Sequence, residues 1–152
     1  MSVMYTVEEL QKIRKEAKRL NLIAPHLFWT AGLQRLQRIC NGCGPESMPE
    51  WAREALTWVF RNYAAAHCVH DCDFELSDGT DVMFDEANIA FEKNLLRIWE
   101  DRYGWTRWVN PVALWDRNKI RIAVKAVKAC GYDAWMECYG RNEAMFGGGD
   151  KL

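Results

Sequence analysis

The segment Cys40-Asn41-Gly42-Cys43-Gly44-Pro45 is the first place in the 152-residue chain where residue types and spacing could do chemistry. Gly42 and Gly44 lack a Cβ, so the loop can turn its backbone carbonyls and amides toward one point. Carbonyl oxygens grouped in that way suit a hard cation such as calcium, which takes several oxygen ligands. The plainer reading is a connecting turn. The second place is Ala64-Ala65-Ala66-His67-Cys68-Val69-His70-Asp71. Adjacent residues on a helix point about 100° apart, so Asp71 can complete a metal site while the His70 imidazole faces a substrate. Either residue could equally be an ordinary solvated side chain. The third place is Asn88, which falls within about 40° of the stripe that Phe84, Phe91 and Leu95 draw on a helical wheel. A buried amide needs partners, so Asn88 is expected to bond something specific or, more plainly, nearby backbone.

A Gly-rich loop, a helix bearing His-Asp, and a following helix with a polar residue in its apolar stripe resemble, in that order, the phospholipase A2 superfamily. The matching segments are 40–44, 66–75 and 85–94, and the resemblance covers about residues 38–98. It implies a compact all-α fold and calcium-dependent hydrolysis of a phospholipid ester. It further implies that the carbonyls of Cys40, Gly42 and Gly44, with the Asp71 carboxylate, hold Ca2+. His70 would then be the general base acting on water. The ion and the Gly42 N–H would stabilise the oxyanion. Asn88 would accept the second His70 N–H and fix its tautomer. The chain departs from the family pattern in three ways. Asn88 stands where members usually carry aspartate, His67 where they often carry a disulfide cysteine, and Cys43 is an extra thiol. In overall style the chain also resembles phage and prophage proteins with a similar core. That likeness implies an alternative, a catalytically idle structural or host-interaction module, with association to a virion.

The six cysteines suggest another metal. Cys40-x-x-Cys43 has the spacing of a zinc half-site, and Cys68 with Cys72 could complete four thiolates. His67 and His70 lie on other sides of the same helix and do not converge with that pair. The alternative expectation is therefore a structural zinc site of Cys40, Cys43, Cys68 and Cys72. Cys130 and Cys138 are expected to be packed thiols.

The elements that must position these residues read as helices almost throughout. Thr6 with Glu9 forms a capping box before an amphipathic stretch, about 7–20. Pro25 opens a second helix through about residue 39. Asn41, Gly42, Gly44, Pro45 and Pro49 interrupt the pattern, and Ser47 with Glu50 reads as a second capping box. Helices follow over about 51–62, 63–74 and 83–103, with a turn around Asp78-Gly79. Asn110-Pro111 opens a last long helix that stops at Gly131. The expectation is a single all-α domain over 1–146 with a disordered tail, 147–152.

Composition sets the remaining bounds. Apolar residues make up 49% and charged residues 27%, with Lys+Arg 20 against Asp+Glu 21 for a net charge of -1. That balance gives no overall nucleic-acid signal. No apolar run is long enough to span a bilayer, and the N-terminal stretch lacks a signal-peptide core, so the expectation is a cytoplasmic protein. Charge is nevertheless uneven. Residues 102–128 carry seven Lys/Arg against Asp116 alone, which is +6 and leaves -7 for the rest. Trp105, Trp108 and Trp115 are interleaved with Arg117, Arg121 and Lys125, a combination that fits an anionic phospholipid surface. The plainer reading is a solvated helix face with its tryptophans turned inward. Stacking on single-stranded nucleic acid is a third, and a homo-oligomer or a phage or host protein are the other partners expected.

Overall fold

The computed structural model describes residues 5–40 and 48–146. Among them the chain is helical, without strands: α1 (Val7–Arg19), α2 (His26–Thr30), α3 (Leu33–Ile39), α4 (Glu50–Asn62), α5 (Ala64–Glu75), α6 (Asp81–Tyr103), a 3-10 turn (Gly104–Trp108), α7 (Pro111–Cys130) and α8 (Tyr132–Phe146).

Local chemistry explains most of the boundaries. The α1 capping box forms as expected: Thr6 Oγ1 accepts from Glu9 N at 3.2 Å, and Thr6 N donates to Glu9 Oε2 at 2.7 Å. Leu10, Ile13 and Ala17 then bury one stripe of α1. Thr80 caps α6, and Asn110 caps α7 by accepting from Val112 N at 2.9 Å, with Pro111 in the first turn. The turn expected at Asp78-Gly79 is present, and Gly79 supplies its positive φ of 75°.

Two expectations about elements need correction. The helix expected over 25–39 is two helices, because Ala31 turns extended (ψ 139°). Arg14 of α1 holds that break by donating Nε–H to the Phe28 carbonyl at 2.9 Å and a second N–H to the Ala31 carbonyl. Pro49 occupies the N-cap position of α4; Ser47, expected to form a capping box with Glu50, lies outside the described residues. Helix α7 does stop at Gly131, but the chain continues as α8, a helix not anticipated. The segment 147–152, expected as a tail, also lies outside the described residues.

The core is built mainly where α7 packs on α4 and α6, and α6 on α5. Short connections make α5 and α6 antiparallel neighbours. Leu10, Phe28, Leu36, Val59, Phe91, Leu95, Trp99 and Ile120 form one continuous apolar cluster. A smaller cluster of Phe84, Ala87 and Trp135 seats α8 against α6.

Candidate functional site

Helix α5 carries the chemistry on three faces, and each face meets a different neighbour. His70 points toward α6. Its ring stacks on Phe91 at 4.3 Å between centroids and lies 4.4 Å from Phe74. Burial, with a smaller contribution from His67, lowers its pKa to about 3, while a contact with the Ala87 carbonyl pulls weakly the other way. The imidazole is therefore neutral at physiological pH.

Asn88 is fully buried, as its place in the stripe predicts. The hydrogen bond expected from His70 to Asn88 is, however, not formed. His70 Nδ1 and both polar atoms of Asn88 are buried without a hydrogen-bond partner among the described residues. One reason is steric: the Phe91 and Phe74 rings fix the imidazole plane, and its backbone contact is to Ala87 instead.

The second face turns His67 and Asp71 toward α1 and α4. His67 meets the Phe60 ring edge-on at 5.1 Å, and Tyr5 stacks on Phe60 while donating its hydroxyl to the Phe60 carbonyl at 2.6 Å. Asp71 Oδ2 lies 3.5 Å from His67 Nδ1. Burial lowers His67 to about 4 and raises Asp71 well above the carboxylate range. Both effects favour the uncharged forms of the pair. A single such carboxylate is not a calcium site by itself. Of the other implied ligands, Cys40 sits at the C-cap of α3, while Gly42 and Gly44 lie outside the described residues.

The third face brings Cys68 and Cys72 against Cys40 at the end of α3. Cys40 Sγ approaches the Cys68 carbonyl at 3.7 Å, and the three thiols are fully buried. Contact with the Cys68 thiol raises the pKa of Cys40, burial raises that of Cys68, and contact with Cys40 raises that of Cys72. Three members of the expected zinc set thus meet, and the histidines diverge from them as the helix geometry requires. Cys43 lies outside the described residues. Among those described, no group of three or more His, Cys, Asp or Glu is arranged to hold a metal ion.

The basic, tryptophan-rich stretch forms a corner where α6 passes through the 3-10 turn into α7. Trp105 is 83% exposed and Val109 72%, while Trp108, Val112 and Trp115 are each more than half exposed. Cations hold the rings in place: Arg117 lies over Trp108 and Trp99, Arg107 over Trp108, and Lys119 over Trp115. Arg121 and Lys125 follow along α7, with Lys128 3.5 Å from Glu92. No described helix is long and apolar enough to cross a membrane.

Two buried polar groups escaped the sequence reading. Asp116 Oδ2 accepts from Tyr103 at 2.6 Å and Tyr63 at 3.2 Å, with Arg102 3.7 Å away. Its signal was available: a lone carboxylate among seven cations, placed on the same helix face as Ala113 and Ile120. Asn94 clamps Ile23 by accepting from its N–H and donating to its carbonyl, each at 2.8 Å. That partner is too far along the chain for any local pattern to reveal. The chain matches no known family model, no curated protein and no solved structure.

Proposed function

We propose that the protein is a peripheral module that docks on anionic phospholipid surfaces through the α6–α7 corner. The observation that carries this reading is the exposure of Trp105, Trp108, Val109, Val112 and Trp115 together, in a stretch (103–115) that contains no carboxylate. Tryptophan favours the boundary between acyl chains and headgroups. With α7 standing on its N-terminal end, Arg117 and Arg121 lie about 8 and 14 Å above Val112 at 1.5 Å per residue. That is headgroup height when the tip enters by about 5–10 Å. The positive end of the α7 dipole faces the same anionic layer.

The experiment is cosedimentation with vesicles of phosphatidylcholine containing phosphatidylglycerol. Binding is expected to rise with the anionic fraction and weaken with salt, because screening acts over about 8 Å at physiological ionic strength. Charge reversal at Arg121 and Lys125, or Trp105→Ser, should reduce binding several-fold with the helical circular dichroism unchanged. Binding that is indifferent to all of these removes the reading.

A second reading, phospholipid ester hydrolysis at His70, is favoured by one specific observation: His70 and Asn88 place polar atoms inside an apolar core with no partners of their own. Against it stands the depressed basicity of His70, since an imidazole with a pKa near 3 abstracts a proton from water poorly at neutral pH. Its test is release of fatty acid from the same vesicles with and without calcium. Calcium-dependent release lost in His70→Gln supports it, and no release from the intact protein discards it.

A further inference from the structure

Above the Trp-rich corner, α7 carries a second basic feature. Arg117, Arg121, Lys125 and Lys128 fall within about 80° of one another at 100° per residue, so they form one cationic stripe along the helix. Asp116, the sole carboxylate of α7, points to the other side, where Tyr63 and Tyr103 donate to it. The upper part of the stripe borders a groove of about 450 Å³ between α6 and α7, lined by Glu92, Arg121, Val124, Lys125, Lys128 and Ala129. Val124 and Ala129 give the groove an apolar floor, and three cations stand around it against one carboxylate. Among the described residues, neither Arg121 nor Lys125 has an ion-pair or hydrogen-bond partner, and Lys128 reaches only Glu92, at 3.5 Å. Three cations converging on a concave surface attract a molecule with more than one anionic group. Phosphates suit them best, because guanidinium and ammonium groups make their strongest hydrogen bonds to charged oxygens.

We propose that this groove grips the headgroup of an anionic phospholipid that carries further phosphates on a polyol ring, a role that rests on docking through the α6–α7 corner. Height along α7 selects this class of lipid. Lys125 and Lys128 lie about 20 and 24 Å above Val112 at 1.5 Å per residue. With the tip entering by about 5–10 Å, both stand about 10 Å or more outside the acyl boundary. A headgroup phosphate next to the glycerol meets Arg117 and Arg121 and reaches no higher. Phosphates on an outward-standing ring reach Lys125 and Lys128, with the ring's C–H face on Val124 and Ala129. Glu92 holds Lys128 beside the groove and yields it when a phosphate enters. Single-stranded nucleic acid is disfavoured, because no aromatic side chain lines the groove to stack a base and docking occupies the exposed tryptophans.

The test is cosedimentation of the full chain with two sets of phosphatidylcholine vesicles, one containing phosphatidylglycerol and the other phosphatidylinositol bisphosphate, matched in total anionic charge. Free inositol trisphosphate is titrated alongside by calorimetry. The bisphosphate vesicles are expected to bind at least tenfold more tightly than the glycerol vesicles, and the trisphosphate to bind saturably and compete with them. Lys128→Gln should weaken bisphosphate binding several-fold and leave phosphatidylglycerol binding unchanged. Glu92→Gln, which releases Lys128, should strengthen bisphosphate binding several-fold. Both side chains are close to half exposed, so neither variant disturbs the core. Equal binding to the two charge-matched vesicles overturns the proposal and leaves corner docking standing, as does an undiminished preference for the bisphosphate in Lys128→Gln. Trisphosphate binding with neither vesicle bound overturns the lipid source together with corner docking. Tighter binding of oligo-dT than of the trisphosphate, lost in Lys128→Gln, overturns it in favour of nucleic acid.

Discussion

Asp116 joins three elements through one carboxylate, with Tyr63 at the α4–α5 junction, Tyr103 at the end of α6, and its own helix α7. Truncation would leave two hydroxyls without their acceptor and remove the carboxylate paired with Arg102. Asp116→Ala is therefore expected to cost about 3 kcal/mol, read from urea unfolding. Asn88 presents the opposite case. Its amide occupies a fully buried site and bonds to nothing described, so the fold alone gains nothing from its polarity. Asn88→Leu, of similar volume, is expected to stabilise by about 1 kcal/mol. A loss of stability in that variant would mean that the amide holds a partner in solution. Burial of Asn88 was legible from its angle on the helical wheel. Its bonding was not, because the orientation of an imidazole between two phenyl rings depends on contacts from a second helix.

Helices α2 and α3 show how far local signals reach. Several boundaries set by a neighbouring residue were readable, among them Thr6 with Glu9, Asn110 before Pro111 and the turn at Gly79, whereas the Thr80 cap that starts α6 two residues before the expected Met83 was not. The break at Ala31 is set by Arg14, which is 14 and 17 residues away from the two carbonyls it binds, and no periodicity carries that information. Arg14→Met keeps the apolar stem and removes both donors. The expected cost is about 2 kcal/mol, with faster amide hydrogen exchange confined to α2 and α3; unchanged exchange there would show the break to be intrinsic. Helix α8 was missed for a different reason. Among its residues only Trp135 is buried, so it presents no repeating stripe for a pattern to register.

For the whole molecule, buried titratable groups set two opposing slopes of stability against pH. His67 and His70 have pKa values lowered to about 4 and about 3. As pH falls below 6.5 the unfolded chain takes up their protons before the folded one does, so each removes about 1.4 kcal/mol per pH unit in that window. Asp71 and Asp73 are raised. The folded state holds their protons above the ordinary carboxylate range, so stability falls as pH rises from about 4 toward 7. The two effects oppose each other between pH 4 and 6.5, and the intact protein is expected to show a shallow profile there. Relative to wild type, Asp73→Asn should gain stability as pH rises to 7 and hold it above. His70→Phe should gain as pH falls from 6.5. Denaturant melts across pH 4–8 check both, and parallel profiles for all three proteins would mean that these groups are solvated in the folded state.

The meeting of Cys40 with Cys68 and Cys72 has a kinetic consequence. These three thiols lie in the seam between α3 and α5 with no exposed surface, whereas Cys130 and Cys138 are partly accessible. A small thiol reagent should consume the latter two quickly and reach the seam only when α3 lifts from α5. The rate of that slow phase, followed by mass spectrometry of the labelled peptides, measures how often the seam opens. If opening is local, the rate should be insensitive to low denaturant; if it requires global unfolding, it should rise with the full unfolding slope. Labelling of Cys68 and Cys72 as fast as Cys138 would mean that α3 is undocked for much of the time in solution.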